Sequence, residues 1–435
     1  MISTSYYFNY YNTLKITFIF LLFSIISKSV FKTQSVIIEF ILLSLLLSIS
    51  LIYASQHLKI NRVSSSLFIF FLSYILLHTL SAIFFRPFVF DIPFSTMLQF
   101  SLTEFRLSTI SYFLPLIFIP LVNIDHDKFE NFIIIIIKLS IGYTIVEQIL
   151  SLLGMRTSFE AFYASSGVVS DNQIGAKSLG LYRIWGVVGS PQLLGVFHLF
   201  TLVYMLHKKN RFWALLSIAA VILSTSKTAY VILLIVGILY LLYNKKYLLL
   251  LVLSLFTAFL IFFVLNVYFT LVDNMSDEYP GFQKFIGSIL GYGVLLLNVE
   301  EESSPQAFIP GGPLYELINY YSENLLQIFL GKGLTYSFMN SAFISNSDLQ
   351  NYFYLTSDFY ILTFIDQYGL IGFLLLIYLF LIYPLLYLFR NGSYLYYIPI
   401  IFFLSMFHYP PHIPKIMMLL SSYPLYMLYL RNTND

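Results

Sequence analysis

Arg183 stands in the stretch LGLYRIWGVVGSPQLLG, residues 179–195, beside a tryptophan and just ahead of a long apolar run. A guanidinium presents a flat fork of donors that fits two phosphate oxygens at once. Gly180, Gly186 and Gly189 allow close backbone approach, and Pro191 suits the first turn of a helix. The N-terminus of that helix, which carries Gln192 and His198, would add its partial positive charge. Two readings stay open: an anion site, or an interface arginine that reaches a lipid phosphate. Lys227, in LSTSKTAYV, lies between two apolar runs with Ser224, Thr225, Ser226 and Thr228 around it. It reads either as a solvated turn residue or as a second phosphate cation with hydroxyl donors beside it.

A third stretch, residues 331–375, has Gly331 and Gly333 around Lys332, then Ser357 and Asp358, then Asp366 and GLIG at 369–372. Thr356 or Ser357 would cap a helix running into the next apolar span. Asp358 either occupies a favourable helix N-terminus or takes a proton from a hydroxyl. Other candidates are weaker. Glu147 and Lys138 lie inside an apolar run, where charge is costly, and their spacing keeps them from being neighbours on one helix. Arg86 and Arg106, with Asp91 and Glu104, read more as an interfacial clamp than as a site. His408 and His412 are separated by Pro410 and Pro411, so they form no helical metal pair. No nucleotide-type glycine loop and no metal-ligand cluster is present in the sequence, and neither a metal nor another cofactor is expected.

These residues must be held by a membrane scaffold. The 435 residues are 59% hydrophobic and only 10% charged, against about 25% charged in a soluble domain. Apolar runs of about 18 residues or more recur along the chain. The expected fold is an all-α polytopic membrane protein. About twelve helices are read at 13–31, 35–56, 64–85, 107–123, 129–152, 186–206, 211–224, 227–243, 247–270, 364–389, 394–408 and 413–430. The basic flanks HLKINR, HKKNR and NKK, with Arg390 and Arg431, are expected in the cytoplasm, which leaves both chain ends inside. Lys28, Lys32, Arg86, Arg106 and Lys227 then fall outside.

Three regions follow: a membrane bundle of nine helices at 1–270, an outer loop at 271–363, and a three-helix bundle at 364–435. Nine acidic residues against two lysines within 271–355 suit an external loop. The N-terminal MISTSYYFNYYNTLK has no basic region and no cleavage site, so the first apolar segment is read as a retained helix. A net charge of +2 gives no sign of nucleic-acid binding. The absence of cysteine excludes disulfides and thiol catalysis.

The three stretches, in this order and all on the outer side, resemble the Wzy/O-antigen ligase superfamily of bacterial glycan polymerases and ligases. Members show an R…G…P pattern at a helix start, an SR pair between two helices, and G.G…H/D…G..G after a large loop. The resemblance covers residues 179–375 and the overall topology. It implies a GT-C-like, undecaprenyl-diphosphate-dependent glycosyltransferase of the bacterial inner membrane with its site facing the periplasm. Arg183, Lys227 and Asp358 would then be catalytic. Tyr182, Gln192, Ser226, Lys332 and Arg106 would bind substrate. The partners implied are an undecaprenyl-diphosphate-linked oligosaccharide and membrane lipid, with a chain-length regulator and a flippase as further candidates. Two departures stand out: Lys227 replaces the usual arginine, and Asp358 replaces the histidine of the ligases. No histidine lies between residues 208 and 407, which turns the expectation from ligase toward polymerase for O-antigen, capsule or another exopolysaccharide. A ligase that moves glycan to a lipid A core, and a flippase for the same lipid-linked unit, remain alternatives.

Overall fold

The computed structural model describes residues 4–23, 33–57, 62–85, 94–123, 126–165, 177–178, 181–252, 325–331, 360–407, 410–411 and 414–431. Apolar runs that leave water have to satisfy their own backbone polar groups, and a helix does so within a single segment. The helices are α1 (Thr4–Leu22), α2 (Thr33–His57), α3 (Val63–Phe85), α4 (Phe94–Glu104), α5 (Ile110–Phe113), α6 (His126–Leu150), α7 (Arg156–Ser165), α8 (Pro191–His207), α9 (Arg211–Leu223), α10 (Lys227–Tyr243), α11 (Leu325–Leu330), α12 (Tyr360–Ile377), α13 (Tyr383–Asn391), α14 (Tyr397–Ser405) and α15 (Lys415–Leu425). A short hairpin pairs β1 (Lys177–Ser178) antiparallel with β2 (Leu181–Tyr182), Lys177 facing Tyr182.

Among the described residues, four stretches are long and apolar enough to cross a membrane: Val36–Gln56, Val63–Leu80, His126–Ala164 and Thr363–Arg390. Shorter apolar helices include Pro191–His207, Arg211–Leu223 and Lys227–Tyr243. Large apolar side chains such as Ile41, Leu139, Leu153 and Leu374 point outward, while Glu104, Glu147, Gln148 and Asp366 are buried. Apolar groups outside and ionisable groups inside suit a chain whose solvent is lipid. The protein is an all-α membrane protein.

Prolines interrupt three of its helical segments, and a tyrosine repairs each one. Within the 3₁₀ segment Leu114–Asn123, Pro120 has no N–H to offer the Ile117 carbonyl. The Tyr10 hydroxyl donates to that oxygen at 2.6 Å. In α15, Pro424 leaves the Leu420 carbonyl without its partner, and Tyr204 supplies a hydroxyl at 2.8 Å. After the π-helical turn Tyr378–Ile382, Pro384 leaves the Leu379 carbonyl open, and Tyr429 donates to it at 2.6 Å. Part of the tyrosine content therefore serves the backbone inside the bundle.

The structure shifts several expected boundaries. Helix α1 starts at Thr4, ahead of the expected 13–31 segment, and runs to Leu22; residues 24–31 of that segment lie outside the described residues. Burial of Tyr10 against α2 and the Leu114–Asn123 segment draws the polar N-terminal residues into the helix. The expected 107–123 span is the end of a run that begins at Phe94 and passes through a π-helical turn and a 3₁₀ segment. The 129–152 span continues through Ser165, bending at Gly154. The helix expected at 186–206 begins only at Pro191. The expected 247–270 span is helical from 247 to 252, beyond which it lies outside the described residues.

Candidate functional site

Helices α8, α9 and α10 run in alternating directions, so the start of α8 and the start of α10 meet at one end of the bundle. Asn210 caps α9, and its side chain accepts from the Trp213 N–H at 3.4 Å. Ser226 caps α10 and accepts from the Ala229 N–H at 3.3 Å. The same Ser226 hydroxyl donates to the Gln192 carbonyl at 2.9 Å, tying the 224–226 corner to the first turn of α8. Gly195 makes this approach possible. A Cβ there would lie 2.5 Å from the Ala229 Cβ and 2.6 Å from the Ser226 Cβ, so any side chain would push the corner away.

Ahead of α8, residues 185–189 form a tight turn closed by the Gly189 N–H on the Trp185 carbonyl at 2.9 Å. Gly186, at φ 56°, occupies the left-handed region, where residues with a Cβ are disfavoured. Helices α6 and α7 clamp this turn from behind. The buried Glu147 carboxylate accepts the Trp185 N–H at 3.0 Å and the Gly186 N–H at 2.9 Å. Arg156 donates to the Arg183 carbonyl at 3.0 Å and to Glu160 at 2.8 Å, and its guanidinium lies 4.0 Å from the centre of the Trp185 ring. With its amide turned so that donors meet acceptors, Gln148 bridges the N–H and C=O of Tyr182, each at 3.2 Å.

These ties bring Arg183 and Lys227 into each other's electrostatic field, where the guanidinium repels the ammonium. Both are half-buried. Among the described residues, no carboxylate pairs with the Arg183 side chain. Two cations carried at one tied corner of the bundle offer positive charge to an anion.

No family model, curated protein or solved structure matches this chain.

Tyr182, Gln192 and Ser226, expected around the substrate, belong to this same cluster. The Gln192 side chain turns back to accept from the Ser190 hydroxyl at 3.0 Å. Arg106 sits elsewhere, on the π-helical turn Phe105–Thr109. Its neighbour Glu104 accepts from Gln367 of α12 at 2.6 Å. Lys332 and Asp358 lie outside the described residues, as does most of 271–363. Asp366, eight residues after Asp358, is buried in α12. Among the described residues, no group of three His, Cys, Asp or Glu side chains gathers as a metal site.

Sequence reasoning underrated Glu147 and overlooked Arg156, Gln148 and Tyr163. A signal for Glu147 was present: a carboxylate near the end of an apolar run must find donors, and a glycine-rich turn supplies backbone N–H groups. Arg156 follows Gly154 with no pattern to mark it.

The opposite end of the bundle collects other cations. Lys208 bonds to Asp127 at 3.1 Å and to Glu130 at 2.6 Å. Arg62 and Arg431 both act on Tyr396, and Tyr243 at the end of α10 stacks near Phe389 and Tyr394.

Proposed function

We propose that this protein is a polytopic glycosyltransferase of the bacterial inner membrane, with about twelve spans and the 271–363 segment on the periplasmic side. Its site is the Arg183–Lys227 end. The orientation is supported by Arg62, Lys208, Lys209, Arg211, Lys245 and Arg431, which mark the opposite end as cytoplasmic. The observation that carries the reading is the tie between the Lys227 corner and the start of the helix that follows Arg183, through Ser226 and the Gln192 carbonyl at 2.9 Å, with no acid paired to the guanidinium among the described residues.

The substrate is a glycan on undecaprenyl diphosphate. A hydroxyl on the non-reducing terminal sugar of a new lipid-linked repeat attacks the anomeric carbon of the growing chain. The bond from that carbon to the diphosphate oxygen breaks, and the lipid diphosphate leaves. Arg183 and Lys227 stabilise the charge that develops on it. Asp358 takes the hydroxyl proton. The diphosphate is already an activated leaving group, so side-chain cations suffice to carry its charge in this scheme. The absence of histidine from 208 to 407 favours polymerase over ligase.

The deciding experiment is gel analysis of surface glycan in a strain lacking this protein. A product one repeat long supports the polymerase. Accumulation of full-length lipid-linked polymer that never reaches the core would point to a ligase. Purified protein that moves the lipid across a bilayer without lengthening the glycan would replace the enzyme with a flippase.

A further inference from the structure

We infer that Glu147 is the positioning residue of this site: its carboxylate is an internal anion around which the Arg183 turn folds. This role deepens the anion-site reading above and rests on it for its consequence in lengthening.

Successive backbone N–H groups with one residue in the left-handed region form a concave pair of donors, which in other proteins binds external anions. Trp185 and Gly186, the latter at φ 56°, make such a pair. Here the pair is occupied from within, by Glu147 Oε1 at 3.0 Å and Oε2 at 2.9 Å. The Tyr163 hydroxyl adds a third donor to Oε2 at 3.0 Å. The same hydroxyl lies 3.2 Å from the Gly186 carbonyl and 2.8 Å from the Tyr143 hydroxyl. Both carboxylate oxygens are used as acceptors, and the side chain has no exposed surface.

Two consequences follow for the site. An external oxyanion cannot use the backbone donors of Trp185 and Gly186, so it depends on the side chains at the rim, Arg183 and Lys227. The rim also keeps its shape only while Glu147 is in place. Loss of the carboxylate leaves two buried N–H groups without acceptors. They lie two and three positions along the chain from Arg183, and the turn must rearrange to satisfy them. Gln cannot substitute, because its amide nitrogen would face a backbone donor. Asp keeps the charge but is one methylene too short to reach both N–H groups.

The test uses the full chain purified in detergent with Trp213→Phe as background. Trp185 is then the one tryptophan, since the protein has two, and its fluorescence reports on the turn. Inorganic pyrophosphate is the binding probe, and helical circular dichroism on heating reports the fold. Glu147→Gln should keep the helical signal, shift Trp185 emission to the red and weaken pyrophosphate binding about tenfold. Glu147→Asp should fall between Gln and the parent, and Tyr163→Phe should shift emission in the same direction by less. Unchanged Trp185 emission in folded Glu147→Gln would overturn the role. If Glu147→Gln fails to fold, unchanged emission in folded Tyr163→Phe overturns it instead. A parent protein that binds no pyrophosphate would remove the anion-site reading alone, because the emission shift still decides whether Glu147 shapes the turn.

Discussion

Helix α6 carries a buried acid near each end, and the two are used in opposite ways. Glu130 and Glu147 lie about 25 Å apart along the axis at 1.5 Å per residue. Glu130 meets the Lys208 ammonium at 2.6 Å and the His207 imidazole at 3.5 Å, with the Tyr423 hydroxyl at 2.9 Å. Partial burial pulls the Lys208 ammonium down, but the hydrogen bonds it donates to Glu130 and Asp127 more than offset this, and the group ends above the ordinary lysine range. Glu147 meets backbone instead, behind the turn that carries Arg183, whose charge acts on Lys227. An acid placed beside a cation neutralises its field. An acid placed on backbone N–H groups builds a turn and does not neutralise the Arg183 guanidinium. On the proposed reading, the first end serves stability and the second serves binding.

That contrast breaks most easily at Arg183. Arg183→Ala should cut glycan lengthening by about 100-fold or more, on the order of 3 kcal/mol of barrier, while the melting temperature of the purified protein stays near the parent. Arg183→Lys should recover only part of the rate, because the ammonium loses the two-pronged geometry. Gly195→Val comes next. It overfills the contact with Ala229 and Ser226 and should destabilise by about 2 kcal/mol, read as a lower melting temperature together with reduced lengthening.

At the other end, Lys208→Ala should cost about 1 kcal/mol of stability, between an exposed and a buried pair, with lengthening unchanged. A lengthening defect of the Arg183→Ala size in that variant would erase the distinction between the ends. The Lys208 contribution has a defined pH course. Its folded pKa is raised, so its stabilisation is fully present below the ordinary lysine value of 10.5 and is lost as pH rises through the folded value. Melting of the parent minus melting of Lys208→Ala, followed against pH, should be flat through neutrality and shrink only in strong alkali. The smallest effect is expected for Tyr204→Phe. It withdraws the hydroxyl from the Leu420 carbonyl left open by Pro424 and should cost about 1 kcal/mol with no change in lengthening.

Membrane residence and helical class were legible in the amino-acid order, because about 18 uncharged residues in a row have few other places to go. So was Pro191 at the start of its helix, since proline suits the first turn through its own fixed backbone angle. Helix ends were less legible. Tyr10 belongs to a helix because of a carbonyl more than a hundred positions away, and Gly186 leaves the expected helix because Glu147 waits behind it.

The linear chain by itself determined where apolar surface had to be hidden from water and where cations sat at its edges. Only the tertiary structure decided which distant groups face one another. Hydrogen bonds such as Ser226 to Gln192 and Trp185 to Glu147 act over about 3 Å. Contacts that short depend on how the helices pack, and no local pattern of residues encodes that packing.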